Sequence, residues 1–428
     1  MPTQIVKPPQ AKRFDIRCNV GDAIIANLAT NIVFFYQRRL DADALRRAFE
    51  RALENLPIFA GRLGVSRGRM RIRCAGQGVP FTSVFSRRTL SEAIRCASDD
   101  TGQWLVDPVN GAAARWGRGP VCTVRITHLA DSATAIGFSW HHSIGDMQTL
   151  MHLMNAWAAA AAGEPLAEPL IVADRAAYLD EHLPPGGALQ PGVRFLGLAE
   201  LARCAVYMAK DAPKQRTLSV QFDEDEIARM RDAYGIRTRL SANDVVCGHL
   251  SEAILGADPG RRTLMIAVNA RKRCGLDPML VGNIVTPLNV DLYPGDTASA
   301  IAERIRHQVD HFADDHCDIR VNQRTLDAAG PWRAARCVSS GFDPVRWNPL
   351  VTNWSGFGLY TVRFEDTAPC YCVPLMQLPI AGACVLMEGA GGRGTALYMT
   401  LPPKDFEALK PLTDGGNPGS MLKLQSEL

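Results

Sequence analysis

Nowhere in this 428-residue chain does an apolar run reach the length that crosses a bilayer, and nowhere do like charges gather into a block that would grip nucleic acid. Lys and Arg number 47 against 44 Asp and Glu, a net charge of +3 spread along the chain, so neither a membrane nor a nucleic-acid partner is expected. The start holds Lys7, Lys12 and Arg13 among prolines with no apolar stretch behind them of the kind that opens a secretory leader, and the reading is a cytoplasmic protein. Twelve cysteines run from Cys18 to Cys384 without the density of a disulfide scaffold, and they read as reduced, mostly buried thiols. The one close pair, Cys370 and Cys372, points the same way from an apparent strand, which fits core packing better than metal ligation. His307 and His311 lie one helical turn apart, but Glu303, Arg304, Arg306, Gln308 and Asp310 around them make a solvated helix face, so no metal site is expected. The glycine-rich residues 389–394 lack the lysine and following helix of a phosphate-binding loop, and a hairpin turn before a strand explains them.

What is present is an ordinary globular composition, 47% hydrophobic, long enough for two domains. Leu45, Phe49, Ala52, Leu53 and Leu56 form a helical stripe that begins near Asp41 and stops before Pro57. Two strand-like runs, residues 121–129 and 133–142, flank Ala130, Asp131 and Ser132 as a hairpin, and the second run ends on a histidine pair. Met147, Leu150, Met151, Met154, Trp157 and Ala158 then repeat at the spacing of a buried helix face. Between about Gly163 and Gly192 the composition shifts to Pro, Gly and Ala with weak periodicity, which predicts a surface crossover. A strand at Leu218 to Phe222, a helix capped near Asp223, a Ser241/Asp244 capping box opening another helix, and a strand at Thr263 to Asn269 follow. A long polar helix from Ala298 to His316, strands near Val351 to Phe364 and Ala383 to Met387, and a last strand from Ala396 to Leu401 complete a mixed α/β pattern. The expected division is 1–175, a linker at 176–215, and 216–428.

Chemistry concentrates in Ser139-Trp140-His141-His142-Ser143-Ile144-Gly145-Asp146, which sets a histidine at a strand end and an acid four residues on, at the mouth of a helix. Imidazole is the side chain best matched to proton transfer near neutral pH. Taken alone, the eight residues leave open a purely structural histidine and an Asp146 that only caps the helix. Order and context add more. His142 to Asp146 resembles the HxxxD signature of the BAHD acyltransferases, CoA-dependent enzymes of secondary metabolism. Residues 54–63 are similar to that family's early LYPLAGRL segment, Asn269-Ala270-Arg271 with Val281-Gly282-Asn283 to its DxR and GN region, and Thr352-Asn353-Trp354 to its TSW segment. Near the end the family carries Asp-Phe-Gly-Trp-Gly before a proline. Here Arg363, Phe364, Glu365, Asp366 and Thr367 stand before Ala368 and Pro369, so only the phenylalanine and the proline survive.

The resemblance implies two chloramphenicol-acetyltransferase-like domains, each a mixed β-sheet flanked by helices, with the active-site channel between them. It makes His142 the general base and Asp146 the partner of Arg271, turned away from the pocket. Thr352 is implied as the oxyanion donor, with His141, Gly145, Asn283 and Trp354 shaping the substrate site. The implied reaction moves an acyl group from an acyl-CoA co-substrate to a hydroxyl or amine of a small-molecule acceptor, in a monomer, with no permanently bound cofactor. Among basic residues that could meet CoA phosphates are Lys210, Lys214, Arg216 and Arg393. Two alternatives carry different expectations. A condensation-type enzyme would take its acyl group from a carrier protein, against which the free length of 428 residues argues. A catalytically silent member would only bind a ligand through the inherited channel.

Overall fold

The computed structural model describes residues 3–66, 69–99, 101–235, 239–260, 262–343, 347–376, 380–410 and 412. Twelve strands form two six-stranded sheets: β1 (Gln4–Val6), β2 (Ala29–Tyr36), β3 (Val79–Phe85), β4 (Cys122–His128), β5 (Thr134–His141), β6 (Arg216–Phe222), β7 (Arg262–Asn269), β8 (Val285–Leu292), β9 (Leu350–Asn353), β10 (Tyr371–Pro374), β11 (Ala383–Glu388) and β12 (Thr395–Leu401). The first sheet runs β1-β3-β4-β5-β2-β10 and the second β6-β12-β11-β9-β7-β8, each mixing parallel and antiparallel pairs. The helices that matter for the site are α1 (Val20–Ile24), α2 (Ala42–Asn55), α3 (Met147–Ala162), α4 (Arg175–His182), α5 (Ala242–Ala257), α6 (Ala270–Arg273) and α7 (Ala298–Asp310).

The expected hairpin is β4 and β5, paired from Cys122↔Trp140 to His128↔Thr134, with Ser132 in the left-handed region of its turn. The helical stripes become α2 and α3, packed on each other with Phe49 and Trp157 rings 4.7 Å apart. Asp223 and Ser241 cap their helices through reciprocal hydrogen bonds with Glu226 and Asp244. The long polar helix is regular only to Asp310 and then widens into a π turn at Phe312–His316.

Two expectations need correction. The strand placed at Val351 to Phe364 is regular only over Leu350–Asn353, after which the chain turns irregular. It re-enters a sheet as β10, which pairs antiparallel with β2 of the first sheet. The expected second half, 216–428, therefore holds one strand of the first sheet. The segment similar to Asp-Phe-Gly-Trp-Gly is the anchor of this crossing. Phe364 packs against Trp157 at 5.0 Å and Tyr36 at 5.8 Å, and the Tyr36 hydroxyl donates to the Val362 carbonyl. Glu365 and Asp366 take positive φ of 48° and 62°, Glu365 standing where the family has glycine. Finally, the segment from Gly163 to Gly192 is not surface throughout, because Arg175 within it is 1% exposed.

Alternation shows how the second sheet meets the first half. Leu264, Ile266 and Val268 of β7 pack into one core with Val246 and Leu250 of α5 and Ile301 and Ile305 of α7. The alternate positions Thr263, Ala267 and Asn269, with Thr217, Ser219 and Gln221 of β6, stay partly exposed. Register places Ser219, Tyr398, Val385 and Thr352 in one row on that second face, and Val385 and Tyr398 belong to the core of the first half. That second face therefore joins the core of the first half at Val385 and Tyr398 and stays partly open at Ser219 and Thr352.

Candidate active site

Strand β5 is buried along its whole length, so its end is a rigid platform. His142 opens a single 3-10 turn, His142–Ile144, and Asp146 then caps α3 by accepting the Thr149 N–H at 3.0 Å. Gly145 is glycine for a steric reason: a Cβ there would lie 2.3 Å from Thr149 Cγ2. The Trp140 indole N–H donates to the Gly145 carbonyl at 3.1 Å, tying the turn back to the strand. Of residues 141–146, only His142 is partly exposed.

Asp146 is both cap and clamp. Its carboxylate meets the Arg271 guanidinium at 2.7 and 3.2 Å and accepts the Ile284 N–H at 3.1 Å, while the residue is 3% exposed. Burial pushes its carboxyl up, but the Arg271 charge and hydrogen bonds and the N–H groups of Thr149 and Ile284 outweigh that and hold it below the usual carboxylate range. Both carboxylate oxygens are occupied, so Asp146 is committed to Arg271 and the two backbone N–H groups. Arg271 also donates to the carbonyls of Leu280 at 2.8 Å and Gly282 at 3.0 Å, so its contact with Asp146 ties helix α6 and the 280–282 segment of the second half to the histidine turn of the first.

His142 is held differently. Its Nδ1 lies 3.0 Å from Asn283 Oδ1. The amide of Asn283 has its orientation dictated, because its Nδ2 sits 2.7 Å from Asp22 Oδ1 and 2.8 Å from the His142 carbonyl, both acceptors only. The oxygen must therefore face the imidazole, Nδ1 must carry the proton, and Nε2 keeps its lone pair. Behind Asn283, Asp22 is fully buried against Arg175, whose Nη1 is 3.0 Å from each carboxylate oxygen. Arg175 also donates to the Ile144 carbonyl at 2.9 Å. Burial pulls the Arg175 guanidinium down, but Asp22 more than compensates. Gly282 belongs to this packing: its φ is +146°, and a Cβ would lie 2.9 Å from Arg175 Nε. The glycine and asparagine of the Gly282-Asn283 pair thus have separate tasks, room for Arg175 and orientation of His142.

Burial also draws the His142 imidazole below the ordinary histidine value, opposed by its own backbone, Asp146, Asn283 and Asp22. The ring is neutral at neutral pH, with one nitrogen fixed and the other free to take a proton.

The remaining expected site residues fall into place unevenly. His141 does not reach substrate: it is fully buried, its Nε2 donates to the Gly111 carbonyl at 3.1 Å and its Nδ1 accepts the Ser143 N–H at 3.2 Å, and burial lowers its pKa to about 4. Trp354 is 4% exposed and packs on Trp140 at 6.4 Å, with Trp140 in turn 6.4 Å from the His142 ring. Thr352 of β9 is partly exposed, and among the described residues no hydrogen bond joins it to His142. Arg216 is engaged elsewhere, paired with Glu407 at 2.7 Å and stacked 3.7 Å over Phe406. Asp22 and Arg175 were missed. The capping box Asn19-x-x-Asp22 signals a helix start, but nothing local marks Arg175 as buried.

The sequence profile described as the Transferase family matches residues 1–413. The chain belongs to this family, that of the BAHD acyltransferases. As a member it is an acyltransferase with the two-domain, chloramphenicol-acetyltransferase-like fold. Among curated relatives, acyl transferase 10 of Oryza sativa subsp. japonica is 25% identical over 85% of this chain and 80% of its own length. Among solved structures, vinorine synthase superposes with a TM-score of 0.72 at 18% identity, covering 99% of this chain and 97% of the other. TRI101 of F. graminearum, crystallised with ethyl coenzyme A, gives 0.74 at 14% identity over 94% and 97%. No helix among the described residues is long and apolar enough to cross a membrane.

Proposed function

We propose that this BAHD member transfers an acyl group from an acyl-CoA thioester directly to a hydroxyl or amine of a small-molecule acceptor, with His142 as general base. The observation that carries the reading is the Nδ1 contact with Asn283 Oδ1, which leaves Nε2 unprotonated on the neutral ring of a partly exposed residue. The acceptor gives its proton to Nε2 as its oxygen or nitrogen attacks the thioester carbonyl. The carbonyl carbon becomes tetrahedral and its oxygen negative. Collapse breaks the carbon–sulfur bond, and the CoA thiolate leaves with the bonding pair. No acyl-enzyme forms. The support from kinship is the CoA carried by TRI101 and the acyl transfer named in the relatives.

Free thiol release from a panel of acyl-CoAs and acceptors, with no carrier protein present, tests the reading. Thiol appearing only when donor and acceptor are both supplied is the expected result, and silence with every donor would overturn it. The same assay has two finer outcomes. Thr352 is the partly exposed hydroxyl that the family resemblance offers to the developing oxyanion, so Thr352→Val is expected to lower turnover about tenfold to a thousandfold with little change in KM. Because His142 titrates below 6.5, the acid limb of the kcat profile should have its midpoint below that value: the base form persists as pH falls and is lost only when pH passes the lowered pKa. A limb centred above 6.5 would contradict the neutral, buried ring.

A further inference from the structure

Helices α2 and α3 leave part of the first sheet uncovered. Phe81, Ser83 and Phe85 alternate onto one face of β3. Phe49 of α2 and Trp157 of α3 meet the Phe81 ring at 6.1 and 6.3 Å and bury it, and exposure then climbs through Ser83 to 70% at Phe85. The uncovered stretch lines a cavity of about 400 Å³, together with the start of α2. To it β1 adds Gln4, paired with Phe81, and β4 adds His128, paired with Phe85, the two rings 5.0 Å apart. His128 is 6% exposed, yet its Nδ1 meets no hydrogen-bond partner, and a buried polar atom left that way is costly. Burial and the Arg39 charge draw this imidazole below the ordinary histidine value against the opposing pull of Asp41, so the ring is neutral and has one N–H to give.

Most charges around the cavity are engaged already. Asp41 caps α2 by accepting the N–H groups of Asp43 and Ala44, and Glu365 accepts the Asp41 N–H at 2.9 Å and faces Arg38 at 3.7 Å. Arg46 lies 3.6 Å from Asp43 and 2.7 Å from Glu50. Arg39 is different: it is exposed, its guanidinium stands 5.7 Å from the centre of the Phe85 ring, and among the described residues no carboxylate pairs with it. The charge left over is a cation beside an exposed aromatic ring.

We infer that this cavity is a second binding site, one for a small aromatic carboxylate. The carboxylate meets the Arg39 guanidinium and the free imidazole N–H, and the aromatic ring packs against Phe85. A neutral aromatic molecule would leave the cation unmatched, and an aliphatic acid would leave Phe85 bare. The site is separate from the transfer chemistry. His128 pairs with Thr134 at the start of β5, and the eight residues of that strand, roughly 25 Å of extended chain, stand between it and His142.

Isothermal titration of the whole chain with 3-phenylpropionate tests this. The expected result is a saturable site that Arg39→Ala and Phe85→Ala each weaken about tenfold or more. The neutral amide, 3-phenylpropionamide, is expected to bind about tenfold more weakly than the acid. Both substituted side chains are exposed, so the variants should fold and release thiol from acyl-CoA as the wild type does. No saturable binding, binding indifferent to both substitutions, or an amide held as tightly as the acid would remove the site. None of the binding readouts is acyl transfer, so the outcome here and the proposed reaction stand or fall separately.

Discussion

Replacing His142 with alanine is expected to cut kcat/KM for acyl transfer by about 10²–10⁴-fold, the range a positioned general base contributes. The fold should survive, because the ring sits on the partly exposed edge of the turn and its side chain contributes a single hydrogen bond, to Asn283. The strand and helix on either side are held by other groups: β5 by its pairing with β2 and β4, α3 by Asp146. A lost proton acceptor with intact scaffolding should lower kcat while leaving the thermal midpoint and donor binding close to wild type. Thiol release, circular dichroism and calorimetric titration with CoA separate these quantities. If the alanine variant turned over undiminished, proton abstraction would have to lie elsewhere and the Asn283 contact would be structural.

The parts of this site written in one stretch of chain were legible beforehand. Strand β5, its turn and helix α3 follow from the strand-like run that ends on the histidine pair, Gly145 and the apolar spacing from Met147 to Trp157, all of which are local properties. The Asp146–Arg271 contact was expected only through resemblance, since its partners are 125 positions apart. What stayed hidden was likewise non-local. Arg175 reads as one charge in a weakly periodic, alanine-rich segment, and its burial exists only because Asp22, 153 positions away, meets it there. The passage of β10 into the first sheet was hidden for the same reason: Tyr371–Pro374 is an apolar strand that either sheet could accept, and the choice is made by its neighbour β2. His141 shows the converse error. The resemblance implied substrate contact, but His141 ends a strand buried on both faces and spends both ring nitrogens on the Gly111 carbonyl and the Ser143 N–H.

The hidden pair supplies the second large effect. Asp22→Asn is expected to cost about 3–5 kcal/mol of stability, the usual penalty for leaving one partner of a buried ion pair unpaired, because Arg175 would remain charged and 1% exposed. It should also lower kcat, on the order of 10²–10⁴-fold, with KM little changed. A carboxylate can only accept, so it forces the Asn283 amide nitrogen toward itself and the amide oxygen toward His142; an amide at position 22 can present either atom. The His142 carbonyl alone is then left to hold the amide nitrogen, and wherever Asn283 turns, its nitrogen faces Nδ1 and the imidazole keeps its proton on Nε2, the wrong side for a base. The two losses can be separated. Adding Arg175→Met removes the stranded cation and should recover much of the stability, measured by urea unfolding, but the double variant still lacks the group that fixes the amide. Turnover that stays low while the urea midpoint returns identifies Asp22 as a positioning residue for His142. Recovery of both together would reduce the ion pair to scaffolding and detach it from the choice of tautomer.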